Sequence, residues 1–330
     1  MTADEKMIVA TDPTVSIVIV SWNATKFLQE CLASIFEAAH PWPIEVIVVD
    51  NASSDDSSAM VERLFPAAIL IQNTDNLGFS KANNIGIRCA KGKYVALVNS
   101  DVHILENCLE QLVRYLETDS STGMVGPKII GGDGKQQNSH RGFPRLWNML
   151  CRAMALDRLL PKVPLFSGYL LSSIAIDSPA PVEILSGCFL VVKRSALEEV
   201  GLLDEAFFIY GEDMDWCKRF WHAARRVVFV PAAQAIHYGG ASSSNAPLRF
   251  FVEMQRADLQ YWQKHHSRIS VALYLALSVV HHMVRILGHG LAAMLVARQS
   301  GSHLHRAKCS FVCLKWMMAN LGVVRSAAHH

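Results

Sequence analysis

Three carboxylates, Glu212, Asp213 and Asp215, stand within four positions of "FIYGEDMDWCKRF" (208–220), directly after an apolar run. Carboxylates in a first helical turn face the positive end of the helix dipole, and Gly211 can break the chain before them, so a solvated helix start explains part of the pattern. A carboxylate fixed at such a point can also take a proton from a hydroxyl. Polar residues recur after apolar runs nearer the N-terminus: Ser21 to Asn23 after "VSIVIV", Asp50 and Asn51 after "IEVIVV", and Asn99 to Asp101 after "YVALV". Asp50 and Asp101 at strand ends fit a nucleotide held by its base and through a divalent cation on its diphosphate, because Mg2+ or Mn2+ needs hard oxygen ligands at fixed positions. One Asp after a strand is also an ordinary turn residue; the combination carries the weight.

The elements that must position these groups can be read from the apolar pattern. The first hundred residues alternate apolar runs (15–22, 44–50, 68–72, 93–101) with amphipathic stretches such as "KFLQECLASIF" and "LGFSKANNIGIRCAKG". That alternation predicts β-α-β units and a mainly parallel, Rossmann-like sheet. Ligands collect at the carboxyl ends of strands in such sheets, so the polar clusters should line one crevice. Residues 102–245 are less regular: a helix from about 106 to 118, a strand near "GMVGPKII", a Pro-, Gly- and Leu-rich insertion with loops from 131 to 181, one strand through "VEILSGCFLVVKR" (182–194), the acidic stretch, and "RVVFVPAAQAIHYGGASSS". Neither GxGxxG nor GxxxxGK[ST] stands after the first strand, which weighs against a dehydrogenase and an ATPase. A nucleotidyltransferase would need a basic, Gly-rich loop there, and none is present.

Composition bounds the rest. A chain of 330 residues, 51% hydrophobic and 18% charged, has enough apolar material for a large core and is unlike a disordered protein. The start, "MTADEKMIVATDP", lacks the basic cluster and apolar block of a secretory signal. Eight scattered cysteines with no CxxC pair suit free thiols better than a bridged framework or a zinc site. Residues 246–330 hold ten Lys/Arg against two acids, net +8, while 1–245 hold 21 against 27, net −6. A basic tail on an acidic body points to an anionic contact, nucleic acid or membrane. "SVALYLALSVVHHMVRILGHGLAAMLVA" (270–297) is long enough to span a bilayer, yet Ser278, His281, His282, Arg285 and His289 fall in one stripe, and "LHRAKCSFVCLKWMMANL" (304–321) repeats the theme. Amphipathic helices lying on a membrane fit this best; helices packed on the body, or a true span, are the other readings. Nucleic acid is disfavoured, because the basic residues alternate with long apolar stretches and not with an aromatic platform.

The runs "VSIVIVSWN", "VIVVDNASSDDS", "NLGFSKANNIGI", "YVALVNSDV", "GLLDEAFFIYGEDMDWCKR" and "IHYGGASS" resemble, in order, the inverting family 2 glycosyltransferases of the GT-A fold, and among them the bacterial rhamnosyltransferases. The similarity spans about 15–245. It implies a catalytic domain over 1–245, with a nucleotide-sugar half at about 15–101 and an acceptor half at about 102–245; the charge and apolar pattern of 246–330 mark the remainder as amphipathic membrane-associating helices. By this resemblance Ser21, Asn23 and Asp50 hold the nucleoside with Asn51 nearby, and Asn76, Gly78, Lys81, Asn83 and Asn84 shape the diphosphate and sugar pocket. Asp101 is the implied Mn2+ or Mg2+ ligand, with His237 a second metal or diphosphate contact. Ser100 stands where the subgroup often has Pro, and His103 is a further candidate ligand or a surface histidine.

Inversion needs a base that removes the acceptor proton opposite the leaving diphosphate. The resemblance makes Asp213 that base, with Glu212 positioning the acceptor or bonding to the base. Gly187 and Cys188 border the acceptor, with Cys188 no nucleophile. Asp215 is expected to pair with Arg219 at i+4. The implied reaction moves L-rhamnose from dTDP-rhamnose to a lipid-linked (polyprenyl-diphosphate) or surface glycan, on the cytoplasmic face of the bacterial inner membrane, peripherally bound. UDP-linked galactofuranose, glucose or N-acetylhexosamine donors, and a noncatalytic membrane-recruitment module, are the alternatives.

Overall fold

The computed structural model describes residues 12–160, 163, 165–166, 176–239, 247–295 and 300–326. Four apolar runs form β1 (Val15–Ser21), β2 (Ile44–Asp50), β3 (Ile69–Gln72) and β4 (Tyr94–Asn99), with α1 (Thr25–Phe36), α2 (Ser57–Leu64) and α3 (Phe79–Cys89) between them. β1 pairs in parallel with β2 and β4, and β2 with β3. The strands are apolar throughout because both faces are covered. Ile17, Ile19, Val46 and Val48 pack under α1 and α2, whereas Val18, Ile47 and Val49 pack with residues of α3. α1 buries Leu28, Cys31, Leu32 and Ile35 along one stripe, each large apolar side chain contributing about 1.5–3 kcal/mol.

The second half extends the same sheet. It comprises β5 (Val102–Ile104), α4 (Cys108–Thr118), β6 (Thr122–Gly131), β7 (His140–Arg141), α5 (Leu146–Ala153), α6 (Leu156–Leu159), β8 (Ala180–Pro181), β9 (Ile184–Leu185), β10 (Phe189–Lys193), α7 (Arg194–Val200), α8 (Glu212–His222) and β11 (Arg226–His237). Among the described residues the main sheet runs β3-β2-β1-β4-β10-β6-β11-β5, with β8 beside β11. β10 is antiparallel to both β4 and β6, so it joins the halves as one hydrogen-bonded surface. The mainly parallel sheet expected from the sequence is present. The single strand expected over 182–194 is instead two: β9 leaves to pair with β7, and the chain bends through Ser186–Cys188 before β10. The reason lies across the bend, where the Gly187 amide donates to Asp213 and not to a neighbouring strand. The 131–181 stretch holds β7, α5, α6 and β8 among its described residues, and "GGASS" extends beyond the described residues after Gly239.

The tail forms α9 (Pro247–His265), α10 (Arg268–Leu295) and α11 (Ser300–Ser326). α9 is no appendage: Ala257, Leu259, Tyr261 and Trp262 belong to the core cluster that holds Val18 and Leu97. α10 packs on α5, α9 and α11. Its polar stripe turns inward, with Ser278 and His282 buried, while Met283, Leu287, Leu291 and Met294 are exposed.

Candidate active site

The carboxyl ends of β1, β2 and β4 converge on one cavity, whose wall includes Trp22, Asn51, Asn76, Gly78, Ser100 and Asp101. Ser21 is buried and its Oγ has no partner among the described residues. Asp50 Oδ2 accepts from the Ser53 amide at 3.0 Å, while Oδ1 is buried without a partner among the described residues. Asn23, at φ 50°, accepts from the Ser54 amide at 2.7 Å and so pins the loop after β2. Asn51 braces the turn before α3: its amide donates to Asn76 Oδ1 (2.9 Å) and Gly78 O (3.2 Å), and its Oδ1 accepts from the Leu77 amide (3.0 Å).

Gly78 has φ +83° and ψ 174°, a region essentially reserved for glycine. A Cβ there would lie 2.5 Å from the Phe208 carbonyl oxygen, and the next amide, of Phe79, donates to that oxygen at 2.6 Å. Glycine thus lets the start of α3 touch the segment leading into α8. Lys81, Asn83 and Asn84 face elsewhere. Asn83 donates to Phe79 O, Asn84 exchanges bonds with the backbone of Leu203 and donates to Glu205, and Lys81 is exposed. The two asparagines hold α3 and the 203–205 loop; none of the three residues lines the cavity.

β11 delivers His237 beside Asp101, through the pairing of His237 with Val102 and the Tyr238 amide donating to Asp101 O. Nε2 of His237 lies 3.2 Å from Asp101 Oδ1. Its Nδ1 lies 2.9 Å from Gln137 Oε1, and the Gln137 amide donates to His237 O at 2.8 Å. With that amide spent as a donor, the Gln137 oxygen accepts from Nδ1–H, which leaves a lone pair on Nε2 of the neutral ring, aimed at a carboxylate. Such a pair needs a proton or a cation between its members. His103, on β5, stands opposite Ile236. Among the described residues no group of three or more His, Cys, Asp or Glu forms a ready metal cage.

A second cavity, of about 360 Å³, shares Phe79, Asn99, Tyr210 and His237 with the first and holds Arg141, Gly187, Cys188, Glu212 and Asp213 in its wall. Gly211, at φ +79°, turns the chain into α8. Asp213 is met by donors: Arg141 Nη2 stands astride both oxygens (3.0 and 2.8 Å), the Gly187 amide reaches Oδ2 (3.1 Å), and the Met214 amide reaches Oδ1 (2.7 Å). Four donor contacts and, among the described residues, no acceptor leave both oxygens of this carboxylate serving as acceptors. Its neighbour differs. Glu212 is buried, its Oε2 has no partner among the described residues, and burial, then the charge of Asp213, push its pKa up to about 8. Cys188 keeps its thiol proton, burial raising it to about 12. Asp215 pairs with Arg219 at 2.9 Å as expected and also with Lys264 (2.8 Å) and His265 (2.7 Å) of α9. Burial works to raise its pKa, but these partners hold it at about 2.

Residues 16–201 match the family described as Glycosyl transferase family 2. The chain belongs to that family. This transferase is 28% identical over 262 residues to an N-acetylglucosaminyl-diphospho-decaprenol L-rhamnosyltransferase of Mycobacterium tuberculosis, covering 76% of this chain and 84% of that one. It is 28% identical over 170 residues to the rhamnosyltransferase WbbL of Escherichia coli, 49% of this chain and 61% of that one. Its fold matches, with a TM-score of 0.55 and 18% identity over 93% of this chain and 88% of the other, a mannosyltransferase from Pyrobaculum calidifontis solved with GDP-Man and Mn2+. The transferase is a glycosyltransferase with the GT-A arrangement expected from its motifs. Arg141, Gln137, Trp22 and Phe250 of α9 also line or brace the two cavities; none was singled out from sequence.

Proposed function

We propose that this transferase moves L-rhamnose from dTDP-rhamnose, with inversion, onto a glycan carried on a polyprenyl diphosphate, while lying on the cytoplasmic face of the inner membrane. The observation that carries the reading is the donor-ringed carboxylate of Asp213 in one cavity and the Asp101–His237 pair in the adjoining one, with a shared wall between. A hydroxyl at Asp213 and a diphosphate at Asp101 would then flank a sugar, the arrangement that a single displacement needs. Ser21 Oγ and Asp50 Oδ1, without a partner among the described residues and adjacent in sequence to the wall residues Trp22 and Asn51 though not themselves on the wall, would suit a nucleoside, since a thymine or uracil imide N–H would donate to the carboxylate. Asp101 and His237 suit Mg2+ or Mn2+: one carboxylate and one imidazole oriented by Gln137 leave the remaining positions to phosphate oxygens and water. When bound, the cation would neutralise the departing nucleoside diphosphate as a Lewis acid.

The chain's own residues do the rest. As base, Asp213 accepts the acceptor hydroxyl proton once Arg141 Nη2 gives way to that hydroxyl. Glu212, neutral near pH 7, donates to the acceptor and adds no second negative charge. The Mycobacterium tuberculosis relative, named for a rhamnose transfer to a diphospho-decaprenol acceptor, supports the sugar and the carrier. A UDP-linked donor is the second reading, because thymine and uracil present the same imide to Asp50.

The test is donor hydrolysis by purified protein across a panel of nucleotide sugars, with and without Mn2+ or Mg2+. Selective turnover of dTDP-rhamnose that stops on chelation is expected, and Asp213→Asn should lower it about 10²–10⁴-fold while nucleotide binding persists. Selective turnover of a UDP-sugar would overturn the rhamnose assignment and leave the transferase. Full activity in Asp213→Asn would remove it as base.

A further inference from the structure

The acceptor cavity does not end at Asp213. Met149, Arg152, Met254 and Asp258 belong to its wall and also to that of a deeper cavity bounded by α5, α9, α10 and, through Cys313, α11. The charged side chains of the deeper wall are Arg152, Arg285 and Asp258. Burial raises the Asp258 pKa against the pull of Arg152 and Arg141, and this single carboxyl stands against two guanidinium groups on the same wall. Arg285 Nε donates to Ser310 Oγ at 3.2 Å, which ties the guanidinium to both helices of the hairpin.

His282 supplies an independent observation. It is only 4% exposed, and its Nε2 lies 2.9 Å from Gln255 Oε1. The Gln255 amide donates to Tyr274 Oη at 2.7 Å, so Nε2–H is the donor to Gln255 and Nδ1 carries the lone pair. Nδ1 has no partner among the described residues, although His282 lines the cavity. A buried polar atom left in this state implies a group that the protein itself does not provide. Beyond the cavity, the outer side of α10 is apolar: Leu287, Leu291 and Met294 are more than half exposed.

We propose that this deeper cavity is an anion subsite that holds the diphosphate of the lipid-linked acceptor, with Arg152 and Arg285 as its phosphate ligands. The inference rests on the acceptor reading above and gives it a location. Asp213, Arg152 and Arg285 succeed one another along the two walls, as sugar hydroxyl, anomeric phosphate and second phosphate succeed one another along such an acceptor, and the apolar face that would meet the isoprenyl chain is the outer side of the helix that carries Arg285. Guanidinium groups favour phosphate oxygens through charge-assisted bonds, and a water between His282 Nδ1 and one of those oxygens would donate to both. A phospholipid headgroup offers the same phosphate chemistry from another source.

The experiment measures binding of farnesyl diphosphate and of farnesol to the full-length protein by calorimetry in detergent, without any transfer reaction. Wild type should prefer the diphosphate. Arg152→Gln and Arg285→Gln should each weaken farnesyl diphosphate binding by about tenfold or more, Arg285→Lys by less, and none should change the affinity for nucleoside diphosphate or for phosphatidylglycerol vesicles. Unchanged farnesyl diphosphate binding in both Gln variants overturns the proposal. So does a parallel loss of phosphatidylglycerol binding, which would make the arginines headgroup ligands. If Arg285→Gln does not keep the wild-type melting temperature, Arg152→Gln on α5 decides. Because no sugar is transferred, failure here leaves the donor assignment standing, and a wrong donor assignment leaves this readout intact.

Discussion

Glu212 and Asp213 are sequence neighbours in opposite surroundings. Asp213 is ringed by donors, whereas Glu212 is buried beside that negative charge and keeps its proton to about pH 8. In the unfolded chain the same proton leaves near the ordinary glutamate value, about 4.3. Between those limits the folded state holds one more proton than the unfolded state. Stability therefore falls as pH rises, by about 1.4 kcal/mol per pH unit from this group. Glu212→Gln keeps the shape without the ionisable proton, so denaturant melts should show the variant close to wild type at about pH 5 and more stable at about pH 8. Parallel midpoints at both values would remove the buried neutral carboxyl. At this scale the sequence disclosed the acids that stand directly after apolar runs: Asp50, Asp101, Glu212 and Asp213. It did not disclose Arg141, 72 positions from Asp213 in a two-residue strand within a Pro- and Gly-rich stretch. Nor did it disclose the roles of Asn83 and Asn84, which the family resemblance put at the donor pocket and which bond to the backbone of nearby segments.

Asp215 ties two elements together. Arg219 holds it from within α8, and Lys264 and His265 reach it from the end of α9, so the helix that starts with Asp213 is clamped from both sides. Asp215→Ala leaves those three cationic or polar partners facing a vacancy and should cost about 3–5 kcal/mol at neutral pH, measurable as a lowered denaturant midpoint. An Asp215→Ala midpoint within error of wild type would show that α9 holds α8 by packing alone. The i+4 half of this clamp was legible, because helical spacing alone puts Arg219 beside Asp215. The α9 half was not: nothing local distinguishes a lysine and histidine that reach back about fifty residues from a solvated basic face. The same limit applies to 182–194, where uniform apolar character suggested one strand and the long-range contact at Gly187 made two.

Across the whole molecule, charge and hydropathy are segregated. An acidic body with net charge −6 carries a tail of net charge +8, and that tail buries polar residues while exposing apolar ones along α10. Association with vesicles should therefore be stronger for anionic than for neutral lipid, weaken with salt, and fall sharply in a Leu287→Glu, Leu291→Glu double variant that melts like wild type. Sedimentation with vesicles of the two compositions reads this directly, and equal pelleting of variant and wild type would remove α10 as the contact. The sheet has a separate consequence. Because β10 is laddered to β4 on one edge and β6 on the other, the strands that carry Asp101 and His237 and the core under α8 share one continuous hydrogen-bonded surface. Rotating one half against the other would shear those ladders, so a hinge between halves is not open to this enzyme. Any widening of the cleft would have to come from the chain laid over it, the 203–211 segment joined to α3 through Phe79 and Asn84.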